Sequence, residues 1–178
     1  MLDVLYHTSQ GEGKISEVVK SAPFRSENDG WLSQGYYFWE GFIEHAHYWG
    51  KTHYHGSYYI FKAKAVNNIC VFSLLEPIHL KIFNKTCDLI GKNRNDITVR
   101  DVINFLRDKT KFSFDAIKAY TSFGSIREKW IPYVESNTRQ LPTMPAVQIC
   151  IFDKRSIARI EFVYSSLEND CSEDFIMV

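Results

Sequence analysis

His7 is the first residue in the chain whose type and neighbours suit chemistry, following Tyr6 at the end of a short apolar run and preceding the small polar pair Thr8-Ser9. A histidine so placed can donate to a ligand hydroxyl while the adjoining main chain contacts a planar carboxamide. A strand-edge histidine satisfied by a local carbonyl is the alternative. The second constellation is Gln34-Gly35-Tyr36-Tyr37-Phe38-Trp39. Adjacent aromatics on a strand point to opposite faces, so one of Tyr36 and Tyr37 enters the core and the other meets a different layer or a cleft. Gly35 before them lets the backbone approach another segment or a ligand closely. Tyr48 follows Tyr37 by 11 residues, on a helix. A strand tyrosine and a helix tyrosine related in this way can sandwich a flat ring, or they can simply fill an aromatic core.

The elements that must hold these residues are read from periodicity and turn signals. Leu2 to His7 reads as a strand, the polar stretch Thr8 to Lys14 makes no core of its own, Ile15 to Ser21 suits a short helix, and Pro23 to Gly30 is a loop. Trp31 to Trp39 is a turn feeding a strand, and Phe42, Ala46 and Trp49 mark one helical face after Gly41. Ser57 to Val66 alternates as a half-buried strand, and Ile69 to Leu75 is another, stopped by Glu76-Pro77. A helix is predicted within 93–109, with Thr98 as N-cap, Asp101 three residues on, and Val102, Phe105 and Leu106 as its stripe. Helical turns are expected at Asp115 to Tyr120 and Ile126 to Tyr133, strands at Ala146 to Phe152 and Ile157 to Val163, and a solvated tail over Leu167 to Asp174. Strands at both ends with helices between them favour an α+β fold with mixed or antiparallel sheets, in one domain spanning 1–178.

Composition narrows the class. With 178 residues, 45% apolar, 15% aromatic and 24% charged, the chain is neither disordered nor collagen-like but soluble and globular. The 21 basic and 21 acidic residues balance, yet residues 51–139 carry 15 basic against 8 acidic, while 1–50 carry 3 against 7 and 140–178 carry 3 against 6. This basic middle, largely helical at about 93–135, suits an anionic partner, although solvated loops give the same pattern. The apolar runs fall far short of a bilayer span, and the four cysteines lack paired spacing, so a reduced cytoplasmic protein without a membrane segment is expected. GxGxxG, Walker A, HExxH and GxSxG motifs are absent.

Taken together, Tyr6-His7-Thr8, QGYYF at Gln34 to Phe38, Tyr48, and VQICIFD at Val147 to Asp153 resemble the ADP-ribosyltransferase family of the diphtheria-toxin and poly(ADP-ribose) polymerase type. The resemblance spans roughly 4–60 and 145–163. It implies split β-sheets with flanking helices and NAD as substrate. His7 would hold the nicotinamide ribose, Thr8 would meet the carboxamide through its main chain in place of the family's glycine, Tyr37 and Tyr48 would stack on the nicotinamide ring, and Gly35 would belong to the cofactor-binding set. Gln148 stands where the family carries a catalytic glutamate. A glutamate stabilises the cationic ribose as the glycosidic bond breaks, whereas a glutamine can orient the sugar but takes no proton. Glu40, Glu44 and Glu161 are substitute carboxylates. The implied activity is mono-ADP-ribosyl transfer to a protein or nucleic-acid acceptor, with a bacterial toxin or defence role and an inhibitory partner. The alternative is an inactive module that binds NAD, ADP-ribose or a nucleic-acid end.

Other chemistries fare less well. Five of the 6 histidines, His45, His47, His53, His55 and His79, fall close together, but His45 and His47 do not share a helix face, and no cysteine pair completes a zinc set. Cys150 lies on the same strand side as Gln148, with nothing nearby in sequence to orient a base.

Overall fold

The computed structural model describes residues 2, 4–26, 30–91, 93–121, 130–132 and 140–167. In chain order the elements are β1 (Leu5–Gln10), α1 (Ile15–Ser21), β2 (Tyr36–Glu40), α2 (Ile43–His53), β3 (Tyr58–Ala65), β4 (Val71–Ser73), α3 (Pro77–Ile90), α4 (Val99–Lys109), β5 (Ala116–Tyr120), β6 (Trp130–Pro132), β7 (Gln140–Pro142), β8 (Val147–Ile151) and β9 (Ile157–Ser165). A seven-stranded mixed sheet runs β4-β5-β8-β2-β1-β3-β9, parallel only between β4 and β5, and β6 and β7 form a separate ribbon. The α+β class holds. The seven strands form one continuous sheet that opens locally between β1 and β2.

β8 lies between β2 and β5 and is buried at every position, which explains its nearly unbroken apolar run. On one face Ile117, Ala119 and Cys150 pack with Val102, Ile103 and Leu106 of α4 and Cys87 of α3, while Trp39, Tyr58 and Ile60 pack with Ala46 of α2. On the other, Leu5, Phe38, Ile149 and Ile151 form a second layer, and Tyr59 and Phe61 meet Ala22. α4 starts with the expected reciprocal cap, Thr98 accepting from Asp101 N–H and Asp101 from Thr98 N–H.

Several local expectations change. β1 continues through Gln10 because Thr8, Ser9 and Gln10 pair with Ile60, Tyr59 and Tyr58, so the polar Thr8 and Ser9 are buried after all. Asp115 to Tyr120 is not helical. Ala116–Tyr120 is β5, whose backbone is claimed by β4 on one side and β8 on the other. The basic stretch at 93–135 is therefore helical only in part, with β6 over Trp130–Pro132 where a helix was expected, the rest of 126–133 lying outside the described residues. α3 is an addition: Pro77 ends nothing but occupies the first helical turn, where its missing N–H costs no bond. The tail beyond Leu167 lies outside the described residues.

Candidate functional site

β1 and β2 share only the pairs Leu5↔Glu40 and Tyr6↔Trp39. Beyond them β1 follows β3, and β2 follows β8 through Phe38↔Ile149, Tyr37↔Cys150 and Tyr36↔Ile151. The strands diverge around a cleft of about 650 Å³, a volume suited to a small ligand. His7, Thr8, Tyr37 and Gln148 all line it, brought together from three strands.

His7 is buried and uses both ring nitrogens. Nδ1 lies 2.8 Å from the Tyr37 carbonyl and Nε2 lies 3.1 Å from the Phe24 N–H. A carbonyl only accepts and an amide N–H only donates, so the proton sits on Nδ1 and the Nε2 lone pair faces Phe24. Burial lowers its pKa to about 4, against the opposing pull of the Tyr37 carbonyl, so the ring is neutral near pH 7. Its single N–H therefore serves the backbone rather than standing ready for a ribose hydroxyl, because the ring is a strut across the opening. Thr8 is similarly committed: its hydroxyl donates to the Ala46 carbonyl at 3.0 Å and ties β1 to α2.

The Tyr37 hydroxyl accepts from Leu32 N–H and donates to the Ser33 carbonyl, both at 2.8 Å. Its pKa is raised, first by burial and then by neighbouring Cys150. Gly35 does not line the cleft; a Cβ there would lie 2.5 Å from both Cys150 Sγ and the Ile151 carbonyl oxygen, so its absence lets β2 approach β8. Tyr48 departs from the expected sandwich. It is 42% exposed and outside the cleft, and its neighbour Trp49, about 100° further round the helix, faces inward instead. Trp49 stacks on His53 at 4.4 Å and lies 6.2 Å from Trp39.

Gln148 is nearly buried, and its Oε1 accepts the Trp31 indole N–H at 2.6 Å. Cys150, two residues on, is buried with its thiol pKa pushed up to about 12 by desolvation, which withholds the thiolate a nucleophile needs. None of the three substitute carboxylates lines the cleft: Glu40 pairs with Lys118, Glu161 pairs with Arg159, and Glu44 is exposed on α2. Among the described residues the carboxylates that line it are Glu12 and Glu17, with Lys14 and Arg25 as basic residues. Among the described residues no group of three or more His, Cys, Asp or Glu is arranged to hold a metal ion.

Trp31, Trp39, Trp49, Glu12 and Glu17 were missed by sequence reasoning. Two of them carried a usable signal: Trp39 is two residues from Tyr37 on the same strand face, and Trp49 belongs to the inward stripe with Ala46. Comparison with protein-family models, with curated proteins and with solved structures finds no match. Among the described residues no helix is long and apolar enough to cross a membrane.

Proposed function

We propose that the cleft binds NAD and that the protein cleaves the nicotinamide–ribose bond, transferring ADP-ribose to a protein or nucleic-acid acceptor in the cytoplasm. One observation carries this reading: the opening between β1 and β2, into which His7, Thr8, Tyr37 and Gln148 converge beside the indoles of Trp39 and Trp49. Indole faces suit flat rings, here nicotinamide, and take the place proposed from sequence for Tyr48. Lys14 and Arg25 supply positive charge for a diphosphate. As the glycosidic bond breaks, positive charge grows on the ribose. Among the described residues Glu12 and Glu17 are the carboxylates in the cleft to oppose that charge or accept the acceptor's proton. For His7 to meet a ribose hydroxyl, the hydroxyl would displace the Phe24 N–H and donate to Nε2.

A second reading, binding without turnover, is favoured by one feature: the residue in the glutamate's place is a neutral amide whose oxygen is already held by Trp31. Calorimetric titration with NAD, followed by assay of nicotinamide release and of transfer from adenylate-labelled NAD to separate protein, DNA and RNA pools, decides between them. Transfer to one pool supports the first reading; binding without release supports the second. No binding removes both.

A further inference from the structure

The indole N–H of Trp31 only donates, so the Gln148 atom lying 2.6 Å from it is the amide oxygen. With Oε1 held on the Trp31 side, the group Gln148 has left for a ligand is its NH₂. We propose that Trp31 is the positioning residue of the cleft, turning the Gln148 amide so that the site reads its ligand with a hydrogen-bond donor. The complementary ligand group bears a lone pair: a hydroxyl oxygen or a carbonyl, such as the ribose hydroxyls or carboxamide oxygen of NAD. The choice of NAD as probe rests on the reading above, whereas the orientation of the amide does not.

The orientation is built in by the turn that carries Trp31. Its neighbours Leu32 and Ser33 are fully buried, and the Tyr37 hydroxyl joins the Leu32 N–H to the Ser33 carbonyl. Ser33 Oγ donates to Asn104 Oδ1 and accepts from Arg107 Nη1, both at 2.8 Å, anchoring the turn to α4. Ser33 holds φ at 126°, a conformation that side-chain-bearing residues seldom adopt and that these contacts maintain. At Gly30 a Cβ would lie 2.5 Å from the Tyr37 hydroxyl and the Ser33 carbonyl, so the chain enters the turn only without one. Tyr37 and Gln148 are thereby linked through Trp31 although the indole and the amide are 117 residues apart. Replacing Gln148 by glutamate would keep the Trp31 bond through one oxygen and turn the ligand-facing end from donor to acceptor.

The test uses the full chain, labelled with ¹⁵N. Gln148→Ala should shift the Trp31 indole resonance and speed its exchange with solvent, and Trp31→Phe should move the Gln148 amide resonances. In calorimetry Trp31→Phe should weaken NAD binding about tenfold, with little further loss when added to Gln148→Ala. An indole signal unmoved by Gln148→Ala, or an equal loss on Trp31→Phe in both backgrounds, overturns the proposal, since either means that Trp31 acts by packing alone. If the parent protein binds no NAD, the NAD reading fails while the amide orientation is still decided by the resonances. If Trp31→Phe does not fold, Gln148→Ala and the indole signal decide it.

Discussion

The segment from Gly30 to Tyr37 and the segment from Gln10 to Ser26 both contribute to the cleft with opposite constructions, and they meet where Ser26 N–H donates to the Gly35 carbonyl and Arg25 bridges Tyr36. The first is closed on itself: Leu32 and Ser33 are buried, the Tyr37 hydroxyl spans the turn, and Ser33 is bonded to two residues of α4. The second is held mainly at its ends, where Gln10 pairs with Tyr58, Ala22 is buried and Arg25 bridges Tyr36, whereas α1 between them has seven residues, none of them buried, and Lys14 at its start provides no side-chain cap. It carries the charge, with Glu12, Lys14, Glu17 and Arg25 on the cleft. A group that must meet a reacting atom needs the fixed wall, whereas charges act over distance and tolerate the looser one. Amide and aromatic geometry therefore belongs to one wall and ionic attraction to the other.

His7 stitches these walls together, bonding Tyr37 of the fixed one and Phe24 of the other, and it gives the largest expected effect. Its pKa falls from 6.5 to about 4 on folding. Between those values the unfolded chain holds a proton that the folded one excludes. Stability from this group is therefore complete above about pH 6.5 and falls as pH drops, levelling below about 4, with roughly 3 kcal/mol lost in all. His47, also lowered by burial, adds to the same slope. Urea denaturation across this window should show His7→Asn less stable near neutrality but distinctly less pH-dependent. Parallel curves for the two proteins would mean that the walls are not joined through a neutral His7.

Two alanine substitutions should affect the walls unequally. Gly35→Ala puts a Cβ 2.5 Å from a backbone oxygen of β8 and should cost about 1–3 kcal/mol, read as a lower denaturation midpoint. Glu17→Ala, on the exposed face of α1, should stay within about 0.5 kcal/mol. Equal losses would mean that the two walls are equally rigid.

How much of this was legible depended on the range of the interaction. Val147–Ile151 announced a buried strand because two-sided burial writes itself into consecutive residues, and Thr98 with Asp101 announced a helix start because a cap is a local bond. α3 hid its periodicity: Ile78 and Leu89 are exposed at 67% and 68% while Phe83 and Ile90 pack inward, so no single apolar stripe stands out. β5 is a strand through its neighbours, which no window of five residues contains. The same holds at the site. His7 and Tyr37 were singled out by residue type and neighbours and Gln148 by the family resemblance, but the Trp31–Gln148 bond and the Phe24–His7 bond arise from folding and have no local mark.

The smallest expected effect concerns the one residue for which two sequence arguments disagreed. The spacing of 11 from Tyr37 selects Tyr48, whereas the stripe Phe42, Ala46, Trp49 selects Trp49 as the inward aromatic. α2 sets its Trp49 indole beside Trp39 and leaves Tyr48 at the surface. Tyr48→Ala should leave the NAD dissociation constant within about twofold and stability within about 0.5 kcal/mol, while Trp49→Ala should weaken binding about tenfold, both read by calorimetry on folded protein. A large loss on Tyr48→Ala alone would mean that a ligand draws α2 round by a quarter turn. Helical periodicity would then be the poorer guide here, because it reports which face is buried in the free protein and not which face a ligand recruits.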